Sequence, residues 1–102
     1  MSIDFSLRNV NIVFHSNMTH NVSSKWNLAG IYDEVYNSQG QTAKDILPRL
    51  QEGLDRMKKF PTAFKTLNPE NGWGTYEHAV KFLEEIVQAC KEYPNSEIFI
   101  SK

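Results

Sequence analysis

The residues best suited to chemistry lie between an apolar alternating run and the first plausible helix. Asn17-Met18-Thr19-His20-Asn21 carries two carboxamides, a hydroxyl and an imidazole. Free backbone N–H groups at a helix N-terminus attract anions, and short polar side chains beside them can bind sugars or base edges. We therefore predict a ligand site that includes Asn17, Thr19, His20 and Asn21. Turn and capping chemistry is the alternative, but it accounts less well for His20 and for a second asparagine.

A second polar and aromatic run, Asn71-Gly72-Trp73-Gly74-Thr75-Tyr76-Glu77, also precedes a predicted helix. The two glycines allow the backbone to turn sharply while the Trp73 indole is presented. That indole is either a core plug or a wall on which a planar ring stacks, with Tyr76 close by. We expect Trp73, Thr75, Tyr76 and Glu77 to complete the ligand site.

The soft metal ligands are too scattered to indicate a metal site. They are His15, His20, His78 and Cys90. His78 and Cys90 are twelve residues apart on one predicted helix, about 18 Å along it and about 120° around it. They cannot share an ion within one protomer, and no zinc-binding spacing occurs. We expect neither a metal nor a cofactor.

Catalytic and phosphate-binding motifs are not recognisable in the chain. Cys90 lies on the apolar face of its predicted helix, and no Gly-x-Ser-x-Gly elbow occurs. Gly72-Trp73-Gly74 matches neither a Walker A loop nor a dinucleotide fingerprint. A hydrolase would need His20 as general base with Asp33 or Glu77 as the orienting carboxylate. We assign no catalytic residue, and the pattern favours a binding protein over an enzyme.

Three short segments are predicted as strands. Apolar alternation predicts strands at 3–7 and 10–16, and a third at 97–100 after Pro94. The alternation changes parity at Arg8-Asn9, which indicates a tight hairpin turn or a bulge there. The chain therefore opens with a hairpin and closes with a strand.

Helical periodicity and the punctuating glycine and proline residues predict the segments between the strands. These are Val22–Ala29 with Asn21 as N-cap and Gly30 as stop, a short turn at 31–36, a helix carrying the stripe Ile46–Met57, a short helix at 61–67, and the main core helix Thr75–Tyr93.

The start of the third segment has two possible forms. Thr42 and Asp45 resemble a capping pair, but Pro48 would remove a hydrogen bond from a helix running straight through it. Either the helix begins near Leu47, or it begins earlier and is kinked.

These elements predict one α+β domain over residues 1–102, in the order β-β-α-α-α-β. A small antiparallel sheet is covered on one face by about three helices. The formal charge of −1 gives no attraction to nucleic acid, and the apolar runs are too short for a membrane span. A single cysteine and an N-terminus unlike a signal peptide favour the cytoplasm.

Four segments together resemble a family of small proteins from tailed phages, prophages and bacteria. The family pairs an Asn-x-Thr-His-Asn segment with a Gly-Ile-Tyr segment, an Asn-Gly-Trp-Gly-Thr-Tyr-Glu segment and an Ala-Cys-Lys-x-x-Pro ending. Here these are Asn17–Asn21, Gly30–Tyr32, Asn71–Glu77, and Ala89–Lys91 with Pro94. The match covers nearly the whole chain. It departs from the family in lacking a glycine-bearing hairpin turn near Arg8.

The resemblance implies a phage-like context more than a reaction. By analogy of size and style, such a chain is similar to phage "sponge" proteins that sequester nucleotide-derived signals of bacterial immunity. The leading hypothesis is a non-enzymatic homo-oligomer that captures a cyclic nucleotide or an ADP-ribose-type signal in an infected or prophage-carrying bacterium. Arg8 or Lys25 is a further candidate for positive charge at its site.

Two alternatives remain open at this point. The chain could be an interaction module that inhibits a host enzyme through a surface formed by Trp26, Tyr32, Tyr36 and the helix faces. It could instead be a small hydrolase of a nucleotide signal that uses His20 as its base.

Overall fold

Three antiparallel strands form the sheet of this protein, in the order β2-β1-β3. The computed structural model describes residues 2–19, 23–67 and 75–102. The elements are β1 Ser2–Arg8, β2 Ile12–Thr19, α1 Ser23–Ala29, α2 Tyr32–Tyr36, α3 Ala43–Lys59, α4 Pro61–Lys65, α5 Tyr76–Glu92 and β3 Glu97–Ser101. The predicted α+β fold, with a hairpin and a closing strand, is confirmed. No helix in these ranges has the length and apolar character needed to cross a bilayer.

The second hairpin strand lies further along the chain than its apolar alternation predicted. The turn occupies Asn9–Asn11, where Asn9 N–H donates to the Asn11 carbonyl at 3.1 Å. Val10, predicted to start the strand, is at the tip of this turn and 96 % exposed. The pairing shifts register at Leu7, so the change of parity marks both a turn and a bulge. The strand then continues to Thr19 through residues 15–17, which are polar and break the apolar alternation on which the predicted end at residue 16 depended.

Strand β1 supplies the centre of the core. Its alternate side chains Ile3, Phe5 and Leu7 are buried, and β1 pairs with β2 on one side and β3 on the other. The opposite face of the strand carries Asp4 and Arg8. Helices therefore cover one face of the sheet, as a period-two pattern on a half-buried sheet requires.

Helix α3 begins before its proline. Thr42 donates to the Asp45 carboxylate from both its N–H, at 3.0 Å, and its hydroxyl, at 2.7 Å. These bonds lower the pKa of Asp45, and they form the capping pair that Thr42 and Asp45 resemble in the sequence, which decides between the two forms. The helix runs from Ala43 through Pro48, which removes only the bond to the Lys44 carbonyl. A start near Leu47 is therefore wrong.

The end of α1 is set by a glycine and by an arginine from another helix. Gly30 has a φ of +77°, the left-handed conformation in which helices commonly end. The Arg56 guanidinium of α3 donates to the Ala29 carbonyl, which is one of the acceptors that a helix C-terminus leaves without an intrahelical partner. Local and tertiary contacts thus stop α1 at the same residue.

Helix α3 approaches the α1–α2 connection closely at Gly53. A Cβ atom built at Gly53 would lie 2.6 Å from Ile31 Cγ2 and 3.0 Å from Ile31 Cδ1. Both residues are buried. This glycine is needed for close packing rather than for an unusual backbone conformation.

Replacing Gly53 with alanine should destabilise the protein, although alanine is favoured by about 1 kcal/mol in an isolated helix. The added methyl group overlaps Ile31, and overpacking of this kind costs about 1–3 kcal/mol. Urea denaturation of Gly53→Ala measures the change. Combining it with Ile31→Ala should cost less than the sum of the single changes, because the overlap is then relieved. A stabilised Gly53→Ala variant would contradict the packing argument.

Candidate ligand site at the two helix entrances

The two motifs do precede helices, as the sequence predicted. Thr19 ends β2 shortly before α1, and Thr75 is the N-cap of α5. The two helices pack together, with the rings of Trp26 and Phe82 centred 5.9 Å apart. The predicted site residues His20, Asn21 and Trp73 lie outside the described residues.

A buried lysine joins the two entrances. Lys25 of α1 is 0 % exposed, and its ammonium group donates to the Leu67 carbonyl at 3.2 Å, just beyond α4. Burial lowers the pKa of Lys25, and the negative charge of Glu77 on α5 opposes that effect. Lys25 thus links the start of α1 to the segment just beyond α4, and the start of α5 lies near enough for the Glu77 charge to act on it. We call Lys25, Leu67, Tyr76 and Glu77 the entrance junction.

Tyr76 is held firmly in this junction. Its hydroxyl donates to the Met57 carbonyl at 2.8 Å, and its ring is centred 6.5 Å from that of Phe64. Burial raises the pKa of Tyr76, with a smaller contribution from Glu77. The Lys65 ammonium lies 5.5 Å from the ring centroid. The tyrosine is partly exposed, so a fixed aromatic ring with a cation beside it borders the entrance.

Thr75 and Glu77 have simpler roles in the described contacts. The Thr75 hydroxyl accepts a hydrogen bond from the His78 N–H at 3.5 Å, which is ordinary N-capping. The Glu77 side chain is 65 % exposed and lies 3.7 Å from the Lys65 ammonium. An exposed pair of this kind contributes little stability. Glu77 is therefore accessible from solvent at the mouth of the junction.

Asn17 points to the sheet face opposite the helices. Its amide donates to Asp4 Oδ1 at 2.9 Å and to the Ser2 hydroxyl at 3.3 Å. His15 Nε2 lies 3.2 Å from the same Asp4 oxygen. The bond from Asn17, then the contact with His15, lowers the pKa of Asp4. The structure thus ties Asn17 to Asp4 and does not join it to the entrance junction.

The two candidates for extra positive charge are separated by the fold. The Arg8 guanidinium lies over the Phe99 ring, 4.1 Å from its centroid, on the open face of the sheet. Lys25 instead belongs to the junction, and Lys65, for which the sequence gives no local signal, lies beside it. The one sequence signal for the placement of Lys25 is that it lies four residues before Ala29 and so on the same, inward face of α1.

The described contacts do not assemble a catalytic group. Burial raises the pKa of the Cys90 thiol to about 12, so it is not a nucleophile near neutral pH. Asp33 accepts a hydrogen bond from Asn37 at 2.9 Å, whereas Glu77 pairs with Lys65. Within residues 2–19, 23–67 and 75–102, no three His, Cys, Asp or Glu residues are placed to hold a metal ion.

The aromatic surface suggested for binding a host enzyme is largely core. Trp26 is 0 % exposed and Tyr36 is 2 % exposed. Burial raises the pKa of Tyr36 to about 12, and the Tyr32 ring stacks on it with centroids 4.6 Å apart. The expectation that Trp26 and Tyr36 form an interaction surface is therefore wrong, because both fill the space between α1, α2 and the rest of the core.

Comparison with known proteins adds no assignment. No protein-family model matches the chain, and neither the curated proteins nor the solved structures contain a match.

Replacing Asn17 with alanine should raise the pKa of Asp4 towards its usual value, because the strongest hydrogen bond to the carboxylate is lost. The stabilisation from a lowered aspartate pKa is present above the pKa of the unfolded chain and is lost as the pH falls. The stability difference between the variant and the wild type should therefore shrink in acid. Carboxyl-detected NMR titration measures the pKa directly. Asn27→Ala is the control, and an unchanged Asp4 pKa in Asn17→Ala would contradict the assignment.

Proposed function

We propose that this protein binds and sequesters a small nucleotide-like ligand, such as a cyclic nucleotide or an ADP-ribose-type signal, without transforming it. The observation that carries the proposal is the enclosed Lys25 ammonium at the entrance junction. Burying a lysine costs free energy, because its charged form loses water. A buried cation beside two polar, aromatic helix entrances fits an anionic ligand.

In the proposed complex, different residues of the site bind different parts of the ligand, according to their chemistry. Trp73 or Tyr76 stacks on the base, since aromatic rings bind any base through its face. Thr19 and Asn21 bond to the ribose or to base edges, while His20 and the helix N-termini face the phosphate. The positive charge of the buried Lys25 acts on the phosphate from the protein interior. Asn17 is left out of the proposal because its amide is engaged by Asp4.

Association of several copies is part of the proposal. A chain of 102 residues has little interior to enclose a nucleotide, so neighbouring protomers would complete the pocket. We place the protein in the cytoplasm of an infected or prophage-carrying bacterium, with a role against nucleotide-based immune signalling. This context rests on the resemblance of its motifs.

Native mass spectrometry tests the proposal as a whole. The full-length protein is measured before and after incubation with a nucleotide-rich lysate from cells with active immune signalling. We expect a discrete added mass that is recovered unaltered after denaturation. A chemically altered molecule would support the hydrolase instead, and no small adduct would contradict sequestration.

Replacing Trp73 with alanine should weaken binding of the recovered ligand by about 1–3 kcal/mol if the indole stacks on its base. Isothermal titration calorimetry measures the affinity, and circular dichroism verifies the fold. Phe60→Ala is the matched control, because Phe60 is a half-exposed aromatic at the α3–α4 boundary. Equal affinity for the folded Trp73→Ala variant and the wild type would remove the stacking role.

Replacing Lys25 with methionine should reduce affinity about tenfold or more, because a charge near the phosphate is lost. The variant should remain folded, since methionine fills similar space without the cost of burying charge. The lowered pKa of Lys25 means that the folded protein holds this proton less tightly than the unfolded chain does. The free energy of unfolding of the wild type should therefore increase relative to that of Lys25→Met as the pH rises from the lowered pKa to the usual lysine pKa. Lys91→Met is the control, and unchanged affinity in Lys25→Met would contradict the electrostatic role.

A further inference from the structure

The two outer edges of the sheet differ in how they are covered. Beside β3, the Ile98 N–H donates to the Gln41 carbonyl at 2.9 Å, and the Gly40 N–H donates to the Ile98 carbonyl at 3.0 Å. The Ile100 N–H donates to Gln39 Oε1 at 2.9 Å. The 39–41 segment thus satisfies the outer edge of β3. Among the described strands, β2 pairs with β1 alone.

Apart from the bulge at residues 12–14, strand β2 has few of the features that usually prevent an edge from pairing. Its eight residues, Ile12–Thr19, contain no proline, lysine, arginine or acidic residue. Natural edge strands are commonly protected by such residues or by a covering segment. The edge of β3 has a covering segment, whereas the described part of the chain provides none for the centre of β2.

A groove follows β2 along helix α5 and changes character from end to end. Near Val13 and Phe14 it has a volume of about 380 Å³, and its α5 wall is acidic and apolar, formed by Glu84, Glu85, Gln88, Ala89, Glu92 and Tyr93. Near Asn17 and Met18 it has a volume of about 190 Å³, and its wall begins with His78 and Lys81. The helix therefore runs antiparallel to β2, with its basic end beside the end of the strand.

The charged and polar residues on this face of α5 form a pattern that is complementary to its own copy after a two-fold rotation. Lys81 and Glu92 are eleven residues apart, about 16 Å along the helix and within about 20° of the same face. Glu85 and Gln88 lie between them, nearly symmetric about the midpoint. If a second α5 helix is related to the first by a two-fold axis through this midpoint, Lys81 of one helix lies opposite Glu92 of the other, and Glu85 lies opposite Gln88. An acid meets a lysine, and a carboxylate meets the Gln88 amide, which within one chain donates to Glu92 Oε1 at 3.2 Å.

We propose that a second copy of this chain docks here, with its β2 antiparallel to the first β2 around a two-fold axis near His15. The pairing joins two three-stranded sheets into one sheet of six strands, and it brings the two α5 helices side by side on the same face. Lys81 then lies opposite the partner's Glu92, and this contact occurs twice. A self-complementary patch is what an isologous dimer requires.

The observations favour a second copy over an unrelated protein. Both halves of the charge pattern are present on one chain, so the patch is complementary to itself without any other partner. Pairing of edge strands also supplies hydrogen bonds that do not depend on side-chain identity. The interface lies along α5 and β2, and it does not require the ligand proposed for the entrance junction.

Sedimentation velocity of the full-length protein over a concentration series tests the interface. We expect a species of twice the 11.8 kDa chain mass. Lys81→Glu and Glu92→Lys should each raise the dimer dissociation constant about tenfold, because each change converts two attractive contacts into repulsive ones. The double variant Lys81→Glu/Glu92→Lys should restore dimerisation, since the pair is re-formed with its charges exchanged.

Lys44→Glu is the matched control, because it makes the same charge change at an exposed position of α3 that does not line the groove. Hydrogen exchange should show concentration-dependent protection of alternate β2 amides, and circular dichroism verifies that each variant is folded. A monomer at every concentration overturns the interface, as does an oligomer whose mass neither single variant lowers. A larger oligomer supports it only if the single variants reduce its mass and the double variant restores it. Ligand affinity is measured separately on the Trp73 and Lys25 variants, so failure of either proposal is distinguishable.

Discussion

Burial of one face of β1 is the constraint on which the rest of the structure depends. Ile3, Phe5 and Leu7 lie against the helices, and the strand is paired on both sides. A shift of one residue would turn all three side chains to water, so the register of the central strand is strongly specified. That register sets where β2 ends and where β3 begins, and hence where α1 and α5 enter the core.

The entrance junction shows how the fold brings residues from separate local motifs close together. Lys25 comes from α1 and Glu77 from α5, and the Glu77 charge acts on Lys25 because Trp26 and Phe82 pack the two helices together. The hydrogen bond from Tyr76 to Met57 then ties the junction to α3. Three helices thus fix one cation and one ring. Rigid positioning of this kind reduces the conformational entropy that the side chains of the site would lose on binding, which is consistent with the proposed sequestration.

The sheet and the helices present two different surfaces for association. The 39–41 segment occupies the outer edge of β3, and the proposed dimer extends the sheet at β2 instead. Helix α5 contributes to both proposed sites, with its first turn at the entrance junction and the face of Lys81 and Glu92 beside β2. A ligand at the junction and a partner along β2 would therefore contact the same rigid helix. Neither contact uses the buried Trp26 or Tyr36, whose role is to fill the core.

The sequence by itself determined the elements whose signals are local. Alternation in β1, the Thr42–Asp45 cap, the stop at Gly30 and the apolar stripe of α5 each depend on neighbours within a few residues, and each is confirmed. What only the tertiary structure decided depends on distant residues. These features include the burial of Lys25, the assignment of Asn17 to Asp4, the covered edge of β3, and the helical continuity through Pro48. Propensity and period describe one segment at a time, whereas burial and pairing arise only when segments far apart in the chain are packed together.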